Sequence, residues 1–121
     1  MKIAFIIIVI HWIADFILQS DQQAKNKSKN FISLISHTII YSLFMGGAFV
    51  LLTLNNINFI NIGLFISITF ITHTLIDFVT SKINSKLWAN NKVHYFFVSI
   101  GFDQILHYGQ LFLTYYYLNK F

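Results

Sequence analysis

Charge is scarce in this chain, and cysteine, proline, arginine and glutamate are missing altogether. Without cysteine there is no disulfide framework and no thiolate metal site. Without glutamate the His-Glu-x-x-His motif of helical zinc sites cannot form, which argues against a site-2-type intramembrane protease. Charged residues make up only 10% of the 121 residues, against 56% hydrophobic ones, and the mean hydropathy is +0.66. A water-soluble domain of this size could not hide so much apolar surface. The net charge of +4 raises nucleic acid as a partner. No basic face accompanies it, and the lysines have a different distribution, so nucleic acid is set aside.

What is present is four long apolar segments. They predict one all-α domain over 1–121, an integral membrane four-helix bundle with helices at about 3–20, 31–54, 58–79 and 95–118. A helix needs about 20 apolar residues to cross the hydrocarbon core. The first segment resembles a signal peptide, but no small-residue cleavage site follows it, and His11 and Asp15 are foreign to such a region. It is read as a retained helix. Lys25, Lys27 and Lys29 occupy one connector, and Lys82, Lys86 and Lys92 another. Lysine-rich loops stay cytoplasmic. The expected location is therefore the bacterial inner (plasma) membrane, multi-pass, with both lysine-rich loops inside and both termini outside. Lys2 and Lys120 weigh weakly against this. The second loop is expected to carry a short interfacial helix, with Ile83, Leu87 and Trp88 toward lipid. Gly46-Gly47 reads as close helix packing, Trp12 and Trp88 as interfacial anchors, Asp21 as a loop or cap residue, and His94 as solvated.

Three of the four acidic residues stand four positions from a histidine: His11 with Asp15, His73 with Asp77, and Asp103 with His107. That spacing puts both members on one helix face. His37 lies on the stripe Ser33, His37, Tyr41 of the second segment. Counting ~1.5 Å per residue from the lysine-rich side, Asp77 falls near the boundary. Asp15, His37 and His73 come ~5–10 Å deep, His11 and Asp103 ~12 Å, and His107 ~18 Å. Ionisable groups in a bilayer are costly and mark function. Imidazole and carboxylate together are ligands for a divalent metal, zinc or manganese first among them. His11, Asp15, His73, Asp77, Asp103 and His107 are the candidate metal ligands. Asp103 and His107 are also candidates for the acid/base pair, and His37 for ligation or for stabilising developing negative charge.

The strings His11–Gln19, His73–Asp77 and Asp103–His107, with a lone histidine early in the second helix, resemble a family of small bacterial and phage membrane proteins catalogued as domain of unknown function 3307. The resemblance spans nearly the whole chain and implies an integral membrane fold with a polar centre, but no reaction. A looser similarity is to membrane-bound metal-dependent hydrolases, whose usual His-Arg pairing this arginine-free chain lacks. The functional expectation is a metal-dependent, membrane-embedded hydrolase acting on a lipid-linked or phosphorylated substrate near the cytoplasmic leaflet. Membrane lipids are the expected partners, with lysines drawing anionic head groups. Two alternatives stand beside it: a metal-ion or proton transport protein, which needs water access from both sides and for which a homo-oligomer could complete the path, and a binding or assembly module held by a structural His/Asp network.

Overall fold

The computed structural model describes residues 2–119; Lys120 lies outside them. Among the described residues the chain is helical throughout, with no strand. Helix α1 (Lys2–Trp12) runs directly into a π-helical turn, Ile13–Ile17. A short helix α2 (Asp21–Asn26) follows, then α3 (Phe31–Leu52), α4 (Phe59–Ala89) and α5 (Val93–Leu118). Helix α4 packs against α3 and α5, and α1 touches both α3 and α5. Both α3 and α4 are long and apolar enough to cross a membrane.

Local chemistry explains the breaks. Ser20 and Gln23 form a reciprocal capping box that starts α2, with Asp21 as its first residue. Asn30 and Asn58 cap α3 and α4: the Asn30 side chain accepts from Ile32 N–H at 2.9 Å, and Asn58 from Ile60 N–H at 2.9 Å. The expected end of the third long helix at Val79 is not its end. With neither glycine nor proline in Thr80–Ala89, the helix runs on to Ala89, so Ile83, Leu87 and Trp88 sit on its tail and not on a separate interfacial helix. It stops where Asn91 takes a left-handed backbone (φ 56°), which asparagine tolerates, and α5 turns back at once.

Burial is inverted relative to a soluble domain. Among the described residues fourteen polar or charged side chains are buried, against nine hydrophobic ones. Large apolar side chains cover the outside, Phe59 at 84% and Ile32 at 76% exposure among them. The apolar part of the core is a cluster around Ile7, Met45, Phe49, Phe65 and Leu111, with the Phe49 and Phe65 rings stacked 4.4 Å apart. Gly46 is buried where α3 meets α4, and a Cβ there would run into the Ile66 side chain; Gly47 faces open space. Gly46→Leu is therefore expected to cost about 1–3 kcal/mol by overpacking, read as a lowered Tm of the purified protein. Gly47→Leu should leave the Tm unchanged or higher; equal losses would refute this account of the α3–α4 contact.

Candidate metal centre

Four helical segments each supply ionisable side chains to one buried cluster. The π turn after α1 carries Asp15, α3 carries His37, α4 carries His73 and Asp77, and α5 carries Asp103 and His107; all six are buried. A π turn adds a residue to the helical repeat and is common where a side chain must be re-aimed. Here it presents Asp15 to α3: His37 Nε2 lies 3.1 Å from Asp15 Oδ1, while His11 Nε2 on the same helix stays 3.7 Å from Asp15 Oδ2.

The length of α4 corrects the expected depths. Asp77 sits twelve residues before Ala89, ~18 Å along the helix, and His107 fourteen residues after Val93, ~21 Å. Asp77 therefore lies well inside its helix and not near its end, beside His107, whose Nε2 lies 3.2 Å from Asp77 Oδ1.

Asp15 Oδ1, His37 Nε2, His73 Nε2 and Asp77 Oδ2 converge on one point. The His37–His73 separation is 3.3 Å, His37–Asp77 3.5 Å, His73–Asp77 3.6 Å and His73–Asp15 3.6 Å. A tetrahedral ion with bonds of ~2.0–2.1 Å would put its ligands ~3.3–3.4 Å apart. The one N–H at His37 Nε2 can point at only one of its three neighbours. These four residues could hold a metal ion, as could a second group, Asp15, Asp103 and His107. In that group His107 Nε2 is 3.5 Å from Asp103 Oδ1, and Thr80 Oγ1 donates to the same oxygen at 2.6 Å.

His11 belongs to neither group. Its Nδ1 accepts from Tyr41 OH at 2.6 Å and its Nε2 donates to Gln104 Oε1 at 2.8 Å, so both ring nitrogens are engaged. Gln104 in turn donates to Asp15 Oδ2 at 3.3 Å and Asp103 Oδ2 at 3.1 Å. His11 therefore orients the amide that aligns two carboxylates, a job its spacing from Asp15 did not suggest. The Nδ1 atoms of His73 and His107 have no hydrogen-bond partner. Stacking fixes those rings instead: Tyr41 lies 3.8 Å from His73, and His73 4.2 Å from His107. His94 is exposed and outside the cluster.

Lys27 is the largest departure from the sequence-based expectation, which assigned it with its neighbours to topology and head groups. Its Nζ lies 2.9 Å from Asp77 Oδ2. The capping box of α2 aims it there, helped by Gln23 Nε2 donating to Ser36 Oγ on α3 at 3.1 Å. Burial alone would push the Lys27 ammonium down, but the Asp77 and Asp15 carboxylates outweigh it and hold the ammonium above the usual lysine range. Gln104 and Lys27 carried no periodic signal, since one neighbours a stripe and the other sits in a polar connector.

A cavity of about 590 Å³ leads to the cluster between the α1–α2 connector and the facing parts of α4 and α5. Asp15 and Asp103 line it, as do Lys25, Lys27, Trp88 and Phe97. Gln19 Nε2, Ser81 Oγ and Asn84 Oδ1, buried in its wall, have no partner within the protein.

The chain belongs to the DUF3307 family, described as a protein of unknown function, whose model matches residues 3–120. No curated protein and no solved structure matches it.

Because the folded ammonium is held above its ordinary value of about 10.4, its contribution to stability is complete below that pH and is lost as pH rises through the higher folded value. Lys27→Met should cost about 1.5–3 kcal/mol near neutrality, the range for a hydrogen bond to a charged group. Chemical denaturation of the metal-stripped protein at pH 7 and pH 11.5 checks it: the gap between wild type and variant should narrow at the higher pH, and a constant gap would refute it.

Proposed function

We propose that this DUF3307 chain is a multi-pass membrane hydrolase that uses a divalent metal, zinc or manganese, to cleave a lipid-linked or phosphorylated substrate at the cytoplasmic leaflet of a bacterial plasma membrane. The observation that carries it is the convergence of Asp15, His37, His73 and Asp77 at separations fitting the ligands of one small divalent ion. Three buried carboxylates within reach of one another are unstable unless cations compensate them.

The membrane placement is supported by the apolar exterior and by α4, of whose most apolar window only 17% is buried. In this reading α1 with its π turn and α5 also cross, giving a four-helix bundle. The lysine-rich connectors stand at the cavity end, which the positive-inside rule puts in the cytoplasm, with both termini outside.

The cavity suits an amphiphile with an anionic head. Lys25 and Lys27 line it, Ser81 and Asn84 offer unused hydrogen-bonding atoms, and Phe96, Phe97 and Ile100 line an apolar side. A bound ion supplies Lewis acidity and lowers the pKa of its water toward neutrality. Asp103, held by Thr80 and Gln104 and facing the cavity, is placed to take a proton from an attacking water. Transport is the weaker reading, because the stacked Phe49 and Phe65, with Met45 and Leu111, fill the far half of the core. A structural His/Asp network has one observation in its favour, the Lys27–Asp77 ion pair, which neutralises part of the cluster without metal.

Elemental analysis of natively extracted protein should find stoichiometric zinc or manganese in wild type and its loss in His73→Ala. Metal-free wild type would overturn the proposal. With metal-loaded protein in anionic-lipid vesicles and a panel of phosphoester amphiphiles, Asp103→Asn should stay folded yet lose activity by about 100-fold or more, the usual range for a general base.

A further inference from the structure

The geometry points to two divalent cations held side by side, bridged by Asp15 and Asp77, with an anion of the phosphate class bound across them. This rests on the metal reading above and extends it from one ion to a pair.

Each of the two carboxylates turns its oxygens to different sides. Asp77 Oδ2 faces His37 at 3.5 Å and His73 at 3.6 Å, while its Oδ1 faces His107 at 3.2 Å. Asp15 Oδ1 faces His37 at 3.1 Å and His73 at 3.6 Å. Asp15 Oδ2 instead shares the Gln104 amide with Asp103, so it lies on the Asp103 side. This division lets each carboxylate reach toward two ions, one oxygen to each.

The first position is then Asp15 Oδ1, His37, His73 and Asp77 Oδ2. The second is Asp15, Asp103 and His107, with Asp77 Oδ1 reaching it only through its 3.2 Å approach to His107 Nε2. A separate observation gives the spacing. His73 and His107, one from each position, stack with centroids 4.2 Å apart and planes at 28°. Imidazoles stacked this closely, each offering its Nε2 to a different position, are compatible with ions ~3.5–4 Å apart, as in two-metal hydrolytic sites. The two positions also differ in access. Asp103 of the second position lines the cavity together with the shared Asp15, whereas His37, His73, Asp77 and His107 do not. The second ion faces the entrance and the first is enclosed.

Charge names the ligand. Three carboxylates and the Lys27 ammonium leave the cluster at about −2 with neutral histidines, and two divalent ions raise it to about +2. An anion entering from the cavity would offset that excess. A phosphate ester, able to place one oxygen on each ion, is the chemical class that does so at this spacing.

The full chain, extracted and loaded with Mn²⁺, tests the pair by metal counting and electron paramagnetic resonance. Two Mn²⁺ per chain with an exchange-coupled spectrum are expected. Asp103→Asn and, independently, His107→Gln should each keep one ion with the six-line pattern of isolated Mn²⁺ while retaining wild-type helicity by circular dichroism. Inorganic phosphate should perturb the coupled signal of wild type and tighten Mn²⁺ binding about tenfold or more, and do neither in Asp103→Asn. A single isolated Mn²⁺ in wild type would overturn the pair and leave the one-metal hydrolase standing. No bound Mn²⁺ or other divalent ion would overturn both. Two ions retained in both variants would overturn the assignment of the second position, and indifference to phosphate would overturn the ligand.

Discussion

Three carboxylates buried within reach of one another set the terms for everything else in this molecule. Asp15, Asp77 and Asp103 come from different helical segments, and each is at most 7% exposed. Bringing such groups together out of water is among the costliest acts in folding, and it is sustained only by compensating charge and hydrogen bonds. The surrounding architecture supplies them. Lys27 reaches in from α2, Thr80 and Gln104 donate to Asp103, and imidazoles from α3, α4 and α5 close the remaining sides. The polar interior follows from that centre.

The support beneath these groups is aromatic as well as hydrogen-bonded. Tyr41 donates to His11 and stacks on His73, so one side chain of α3 ties α1 to α4. His11 then orients Gln104, which holds Asp15 and Asp103 in register. Residues that touch no candidate ion thereby fix the direction of those that could. Positions held by several partners from separate helices are rigid, and rigid placement is what ligand or substrate recognition needs.

The all-helical character was legible in the apolar segments, and most of the cluster in the i, i+4 pairing of histidine with aspartate. His37 could be found because the stripe Ser33, His37, Tyr41 follows the helical period. The continuation of α4 to Ala89 was missed because lysines and polar residues after Val79 read as a loop, although nothing in Thr80–Ala89 breaks a helix. That reading put Asp77 near a helix end and apart from His107, which it touches. Lys27 was missed for a different reason: in a polar connector every lysine looks alike, and only the capping box of α2 and its docking on α3 single one out.

By itself the sequence determined composition and period. It settled that the chain is helical, that thiolate and glutamate chemistry are impossible, and that costly groups recur at one helical face in each segment, because hydrophobic spacing and residue type are local properties. Tertiary structure alone decided which atoms meet. Whether His11 faces a carboxylate or an amide, whether Asp77 lies deep or shallow, and whether a loop lysine enters the core all depend on helix length, on one π turn and on the rotation of each helix about its axis. These are fixed by packing between segments distant in the chain, which no local pattern encodes.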